Sequence, residues 1–182
     1  MEFTATEKRK ALKAMMLQPV CHVAPSCNDG IQARLVEWLG FPLIHISGSG
    51  QHRSLGFADA GLLTLTEMIN KAREIVDAVN IPVVSDAETG YGNAVNVARA
   101  VKEFDRSGVA GIHIEDQVYP KRASYHKGLE HIVPMQEFVE RMTYALQARR
   151  DPDFLIIGRT DAFSAVEGSR EELVRRGLIL KE

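Results

Sequence analysis

The middle of the chain reads VVSDAETGYG at residues 83–92. An apolar run that follows Pro82 ends in two acidic residues, Asp86 and Glu88, and a glycine-rich turn comes next. The stretch from about Asn93 to Arg106 then has apolar residues at helical spacing. A short β-branched run, a loop and a helix form one β/α unit, so we expect a strand at Val83–Ser85 and a parallel sheet around it.

The same pattern recurs along the chain with a period of roughly 30 residues. The other predicted strands are Val20–Ala24, Leu43–Ile46, Ala110–Ile114 and Phe154–Gly158. The other predicted helices cover residues 30–39, 66–79 with Thr66 as N-cap, 135–149 and 170–182. This alternation predicts an α/β fold of about five β/α units. Five parallel strands fit either part of a (β/α)₈ TIM barrel or an open doubly wound sheet, and strand counting leaves both open.

Composition limits the classes of protein to which the chain can belong. With 182 residues, of which 45% are hydrophobic and 25% charged, residues 1–182 can form one domain, which we expect to be an incomplete barrel. The net charge of -2 gives no support for a nucleic-acid partner. We find no signal peptide and no membrane-spanning run. The spacing of Cys21 and Cys27 fits neither a redox pair nor a zinc site, so we expect reduced cysteines in a cytoplasmic protein.

Acidic residues follow several of the predicted strands. Asp86 and Glu88 follow the third strand, and Glu115 follows the fourth. Asp59 lies in the loop after the second strand. Because the carboxyl ends of parallel strands meet at one edge, we expect these carboxylates to bind Mg²⁺, with Mn²⁺ as an alternative. The other interpretation is that they are solvated loop acids.

Basic and hydroxyl side chains supply candidates for substrate binding and proton transfer. The loop after the fourth strand contains Lys121, Arg122, Tyr125 and His126, which either bind an acid group and move a proton or form solvated surface. Arg159 directly follows the fifth strand, where a guanidinium suits a bidentate carboxylate or forms a structural ion pair with Asp161.

The histidines divide into two groups. His22, His45 and His113 lie inside apolar strands, where core or barrel-filling histidines are more common than metal ligands. His52 follows the segment Ser47–Gly50, and we expect it to be more exposed and within reach of a substrate. That segment matches neither a nucleophile elbow nor a Walker motif, and no helix is expected directly after it.

Five motifs together resemble the isocitrate lyase and phosphoenolpyruvate mutase superfamily, from about Met15 to Gly168. They are ISGSG at 46–50, SDAETGYG at 85–92, GIHIEDQ at 111–117, PKR at 120–122 and GRTDA at 158–162. The resemblance implies a TIM barrel with Mg²⁺ on Asp86, and with Asp59, Glu88 and Glu115 reaching the metal largely through water. It implies a small oxyacid substrate that reacts through an enolate of the pyruvate type. Its implied substrate ligands are Ser47, Gly48, Ser49 and Arg159.

Two departures from the superfamily pattern concern activity. Members that resemble methylisocitrate lyase read Lys-Arg-Cys-Gly-His after strand four, and the cysteine transfers a proton. This chain has Ala123 there, so Ser124, Tyr125 or His126 would have to take over. The chain also ends after the fifth predicted strand, so we expect a truncated product, whereas a full-length relative would be a homo-oligomer. The alternative is a non-catalytic fragment or pseudoenzyme that depends on another chain.

Overall fold

A computed structural model describes residues 3–121 and 130–180 of the chain. Four strands lie side by side in chain order: β1 Ile44–Ile46, β2 Val83–Asp86, β3 Gly111–Glu115 and β4 Leu155–Arg159. All three neighbouring pairs are parallel. The predicted α/β class with a parallel sheet is confirmed.

Helices connect and flank the strands within the described ranges. They are α1 Ala5–Met16, α2 Gly30–Trp38, α3 Gly48–Ser54, α4 Leu65–Ala78, α5 Ala94–Ser107, α6 Met135–Ala148 and α7 Arg170–Ile179. In α4 and α5 a side-chain oxygen of Thr64 or Asn93 accepts a hydrogen bond from the first turn, which supplies a partner that the helix backbone lacks. The predicted N-cap Thr66 is therefore wrong by two residues. No helix within the described ranges is both long and apolar enough to cross a membrane.

The main core lies between the sheet and the helices that cover it. Met68 and Ile75 of α4 and Phe104 of α5 pack with Ile112 and Ile114 of β3, and all five side chains are fully buried. Burial of apolar surface on this scale is the main stabilising term of such a layer. The core holds the strands in register, and their carboxyl ends therefore lie side by side.

Helix α1 covers the opposite end of the sheet. Its Leu12 is fully buried against Leu43, Val84 and Ala110, near the amino ends of the strands. Arg9 of α1 is also buried and forms ion pairs at 3.0 Å with Asp105, in the last turn of α5, and at 2.8 Å with Asp151, which follows α6. Because α1 covers the amino ends of the strands, a site can form only at their carboxyl ends.

Two segments differ from the sequence-based expectation. Val20–Ala24 forms no strand; Val20 and Val23 are 59% and 62% exposed, and the nearest pairing is a single bridge from Ser26 to His45. These valines have no facing apolar layer within the described chain, so their β propensity is not supported by burial. The segment Ser47–Gly50 does lead into a helix, because the Ser47 hydroxyl accepts from Gly50 N at 3.1 Å and caps α3.

Replacing Leu12 tests the role of α1. We expect Leu12→Ala to lower the free energy of unfolding by about 2–5 kcal/mol, because a fully buried leucine leaves a cavity when it is truncated. Urea denaturation followed by circular dichroism measures this change. Leu17→Ala, at a leucine that is 81% exposed, is the matched control and should have little effect. Equal stability of the two variants would contradict the packing of α1 against the sheet.

Candidate functional site

Four carboxylates converge at the carboxyl ends of β2 and β3. Asp86 is the last residue of β2, and Glu115 is the last residue of β3. Glu88 follows two residues after Asp86, and Asp59 lies between α3 and α4. Their relative exposures are only 6% for Asp59, 4% for Asp86, 1% for Glu88 and 0% for Glu115. The alternative interpretation as solvated loop acids is therefore wrong.

The backbone around β2 explains how these acids come so close. Glu88 adopts a left-handed conformation with φ of 53°, and its N–H donates to Asp86 Oδ1 at 2.7 Å. Gly48 N donates to the other oxygen of Asp86, Oδ2, at 3.1 Å. A Cβ atom at Gly48 would lie only 2.7 Å from that oxygen, so a side chain there would displace the carboxylate. Gly48 thus holds the Asp86 carboxylate in place through the hydrogen bond that its N–H donates.

Lys121 places its ammonium group among the acids. Its Nζ lies 2.9 Å from Asp59 Oδ1, contacts Glu88 Oε2 and lies 3.4 Å from Glu115 Oε1. Burial favours the neutral amine, but the surrounding carboxylates outweigh it and raise the pKa of Lys121. The sequence assigned Lys121 to a substrate loop, whereas in the structure it is the cation at the centre of the cluster.

One ammonium does not balance the four acids. Burial, together with the charge of Asp86, raises the pKa of Glu88 to about 7 and that of Glu115 to about 8. Burial also acts to raise the pKa of Asp86, but His113, Lys121 and the Glu88 N–H outweigh it, so this pKa is lowered. The cluster therefore has an unmet demand for positive charge, which a divalent cation would satisfy.

The donor atoms fit a hard metal ion. Glu88 Oε1 and Glu115 Oε2 are buried carboxylate oxygens without a hydrogen-bond partner in the described chain. Oxygen ligands of this kind suit Mg²⁺ and Mn²⁺. Candidate ligand atoms lie close together in two groups. One consists of Asp86, His113 and Glu115, and the other of Asp59, Glu88 and His52. The four predicted metal ligands are thus divided between two neighbouring groups, and Lys121 contacts acids of both.

His52 is a structural member of this cluster. It is fully buried, which contradicts the expected exposure. Its Nε2 accepts from Leu62 N at 3.2 Å and Leu63 N at 3.1 Å, so its Nδ1 carries the proton and donates to Gly48 O at 2.8 Å. Both ring nitrogens are occupied, and we exclude His52 as a metal ligand. It fixes the backbone on which Gly48 and Asp59 depend.

A cavity of about 720 Å³ opens beside the carboxylates. Its polar wall includes Ser47, Ser49 and Gln117, and its apolar wall includes Leu43 and Ile157. His45 and His113, expected to fill the core or the barrel, also line it. Their Nε2 atoms lie 2.8 Å apart, and burial is the first cause that lowers the pKa of each ring. The sequence missed this pair and Gln117, because an apolar strand context does not reveal which face borders a cavity.

Arg159 lies at the end of β4, directly opposite Glu115 in the sheet register. Its Nε and Nη2 donate to the two oxygens of Asp161, each at 3.0 Å, and its Nη1 lies 3.6 Å from Glu115 Oε2. The ion pair with Asp161 that the sequence left open is therefore formed. Arg159 also lines the cavity and remains 44% exposed. The candidate loop residues Arg122, Ser124, Tyr125 and His126 lie outside the described residues.

Known proteins resemble the chain over nearly its whole length. A family model described as phosphoenolpyruvate phosphomutase matches residues 12–180. The chain is 43% identical over 180 residues to 2,3-dimethylmalate lyase of Eubacterium barkeri, covering 98% of this chain and 60% of that protein. It is 38% identical over 174 residues to isocitrate lyase of Haloferax volcanii, covering 95% of this chain and 50% of that protein.

Solved structures agree with these sequence relatives. Phosphoenolpyruvate phosphomutase from Streptomyces platensis subsp. rosaceus superimposes with a TM-score of 0.90 at 36% identity, covering 95% of this chain and 60% of that one. Phosphonopyruvate hydrolase in complex with oxalate and Mg²⁺ gives a TM-score of 0.84 at 30% identity, covering 98% and 60%. The chain thus spans about 50–60% of the length of these relatives. It belongs to the phosphoenolpyruvate phosphomutase family, within the PEP mutase/isocitrate lyase superfamily.

Proposed function

We propose that the chain carries the metal and substrate site of a Mg²⁺-dependent enzyme that breaks or forms a C–C or P–C bond in a small 2-oxo or 2-hydroxy acid. The observation that carries this proposal is the cluster of four buried carboxylates around Lys121, beside an open cavity. A buried cluster of this kind is costly for stability, which is typical of a functional site. The intact cluster does not favour the alternative of a non-catalytic fragment.

Asp86 would be the direct ligand of the metal. Asp59, Glu88 and Glu115 would hold it from further out, partly through water, and the same oxygen atoms would accept Mn²⁺. The complex of phosphonopyruvate hydrolase with oxalate and Mg²⁺ supports this assignment, because that enzyme shares the fold at 30% identity. When bound, the metal supplies Lewis-acid stabilisation for negative charge on an enolate oxygen. Lys121 pairs with Asp59, Glu88 and Glu115, so it would compete with the metal for these three carboxylates.

The substrate would lie in the cavity between the carboxylates and Arg159. The Nη1 edge of Arg159 faces this space, and the hydroxyl-bearing residues Ser47 and Ser49 line it. A guanidinium beside the reacting carbonyl binds an oxyacid and stabilises the charge that develops on it. Proton transfer is assigned by the same proposal to the segment Lys121–His126, in which Ala123 has no proton to give. A cysteine-dependent lyase mechanism is therefore not proposed.

Replacing the central ligand tests the metal assignment. We expect Asp86→Asn to reduce Mn²⁺ affinity by about a hundredfold, because it removes one full charge from the buried cluster and replaces the direct carboxylate ligand by a neutral amide. Mn²⁺ binding is measured by electron paramagnetic resonance of the free ion. Glu140→Gln, an exposed acid of α6, is the control and should bind as the unmodified chain does. Unchanged affinity in a folded Asp86→Asn variant would contradict the assignment.

Removing the internal cation should have the opposite effect. We expect Lys121→Met to raise Mn²⁺ affinity by about tenfold, because the metal no longer displaces an ammonium that pairs with three carboxylates. The same resonance titration measures it, and Lys102→Met on the exposed side of α5 is the control. Weaker binding in Lys121→Met would show that Lys121 assists the metal and does not compete with it.

The raised carboxyl pKa values also predict a pH dependence. A carboxyl group with a raised pKa keeps its proton to higher pH, and the metal must displace that proton to bind. Since the pKa values are about 7 for Glu88 and about 8 for Glu115, we expect Mn²⁺ affinity to fall as the pH drops through this range. Glu88→Gln should flatten the lower part of this profile. A profile that is flat for the unmodified chain would refute the coupling.

A further inference from the structure

A buried acid stands behind the cavity and joins three structural elements. Asp116 directly follows β3 and is fully buried. Its Oδ2 accepts from Thr160 Oγ1 at 2.6 Å and from Arg176 Nη1 at 2.8 Å, and its Oδ1 accepts from Asp161 N at 2.9 Å. A carboxylate with three such donors is held in a single orientation. Asp116 thereby fixes the backbone that follows Arg159.

The guanidinium of Arg176 in α7 is also fixed by hydrogen bonds, like the carboxylate of Asp116. Only 3% of it is exposed. Its Nη2 donates to Val133 O at 2.8 Å, and its Nε donates to Glu172 Oε1 at 2.9 Å, in addition to the bond with Asp116. All three nitrogens of the guanidinium are therefore engaged. The network ties α7 to the end of β3.

Asp161 in turn fixes the side chain of Arg159. Its two oxygens take up the Nε and Nη2 edges of the guanidinium, and Gln117 Nε2 donates to Oδ2 at 2.7 Å. With Nε and Nη2 occupied, Nη1 is the nitrogen that lies near Glu115, at 3.6 Å from its Oε2, and Arg159 lines the cavity. The orientation of Arg159 thus depends on Asp161, which does not line the cavity itself.

We propose that Asp116 and Arg176 are positioning residues, which act through Asp161 to hold the Nη1 edge of Arg159 ready for an oxyacid anion. This inference rests on the proposed function, since it assumes that Arg159 binds the substrate. A donor that is already oriented loses little freedom when the anion binds, so binding is tighter than with a mobile arginine. The network ends on a partly exposed side chain in the cavity, which a purely structural ion pair would not require.

Oxalate, a dianion that mimics an enolate of the pyruvate type, is the probe. Calorimetric titration in the presence of Mg²⁺ measures its affinity, and the Mn²⁺ titration without oxalate measures the metal site separately. We expect Asp116→Asn and Arg176→Lys to weaken oxalate binding by about tenfold while Mn²⁺ affinity stays within about twofold. Arg175→Lys is the matched control, because Arg175 is the neighbouring arginine of α7 with a side chain that is 66% exposed.

A double-mutant cycle separates positioning from general damage. In the Arg159→Met background, Asp116→Asn should cause no further loss of oxalate affinity, because the group that it positions is gone. Thr160→Val keeps the shape and charge of the network and removes one hydrogen bond to Asp116, so it provides a second measurement if the charge-altering variants fail to fold. We expect a loss in the same direction that also vanishes in the Arg159→Met background.

Each remaining result has a distinct meaning. If the unmodified chain binds Mn²⁺ but no oxalate, the substrate part of the proposed function fails, and this inference fails with it. If the unmodified chain binds oxalate and the folded variants bind it equally well, only the positioning role is overturned. An equal loss in Arg175→Lys, or a loss that persists without Arg159, would also overturn it.

Discussion

Mutual repulsion among Asp59, Asp86, Glu88 and Glu115 is the constraint on which the rest of the site depends. Four acids that are almost completely removed from water cannot all remain ionised without positive charge nearby. Lys121 supplies one such charge, yet Glu88 Oε1 and Glu115 Oε2 remain buried without a hydrogen-bond partner in the described chain, and burial raises the pKa of both acids. A divalent cation, as proposed, would supply the charge that the four acids lack, and burying them has a cost in stability that the core must offset.

The fold meets this constraint by keeping its two ends different. Helix α1 covers the amino ends of the strands with apolar packing around Leu12. At the carboxyl ends, the parallel register places Glu115 opposite Arg159. Strand β2 ends at Asp86, and the turn that follows contains Glu88. Gly48 and His52 then support the carboxylates from α3. Stability and chemistry are thus separated along the length of the strands.

Charge around the cavity is arranged in two layers. The inner layer consists of the four carboxylates, Lys121 and Arg159. Of these, Asp59, Asp86, Lys121 and Arg159 line the cavity. The outer layer, with Asp116 and Arg176, has its hydrogen bonds satisfied within the protein. Such an outer layer keeps the inner groups in place at little cost when a ligand arrives. Family membership establishes the ancestry of this arrangement, whereas the reaction itself is the proposal to be tested.

The sequence by itself determined the order of β/α units, the acids at the strand ends and the superfamily. These features depend on local periodicity and on short motifs, so no tertiary contact is needed to recognise them. It placed β2, β3 and β4 to within two residues but assigned a strand at Val20–Ala24, because propensity does not reveal whether a facing layer exists. The four predicted metal ligands lie near one another at the carboxyl ends of the strands, and their role as ligands stays a prediction.

Only the tertiary structure decided how these residues are used. It placed Lys121 inside the acid cluster, buried His52 as a neutral support, paired Arg159 with Asp161 and connected Asp116 to Arg176. Two of these contacts join residues about 60 positions apart, Lys121 with Asp59 and Arg176 with Asp116. No local pattern records such distances, because they are set by the way in which the helices pack over the sheet.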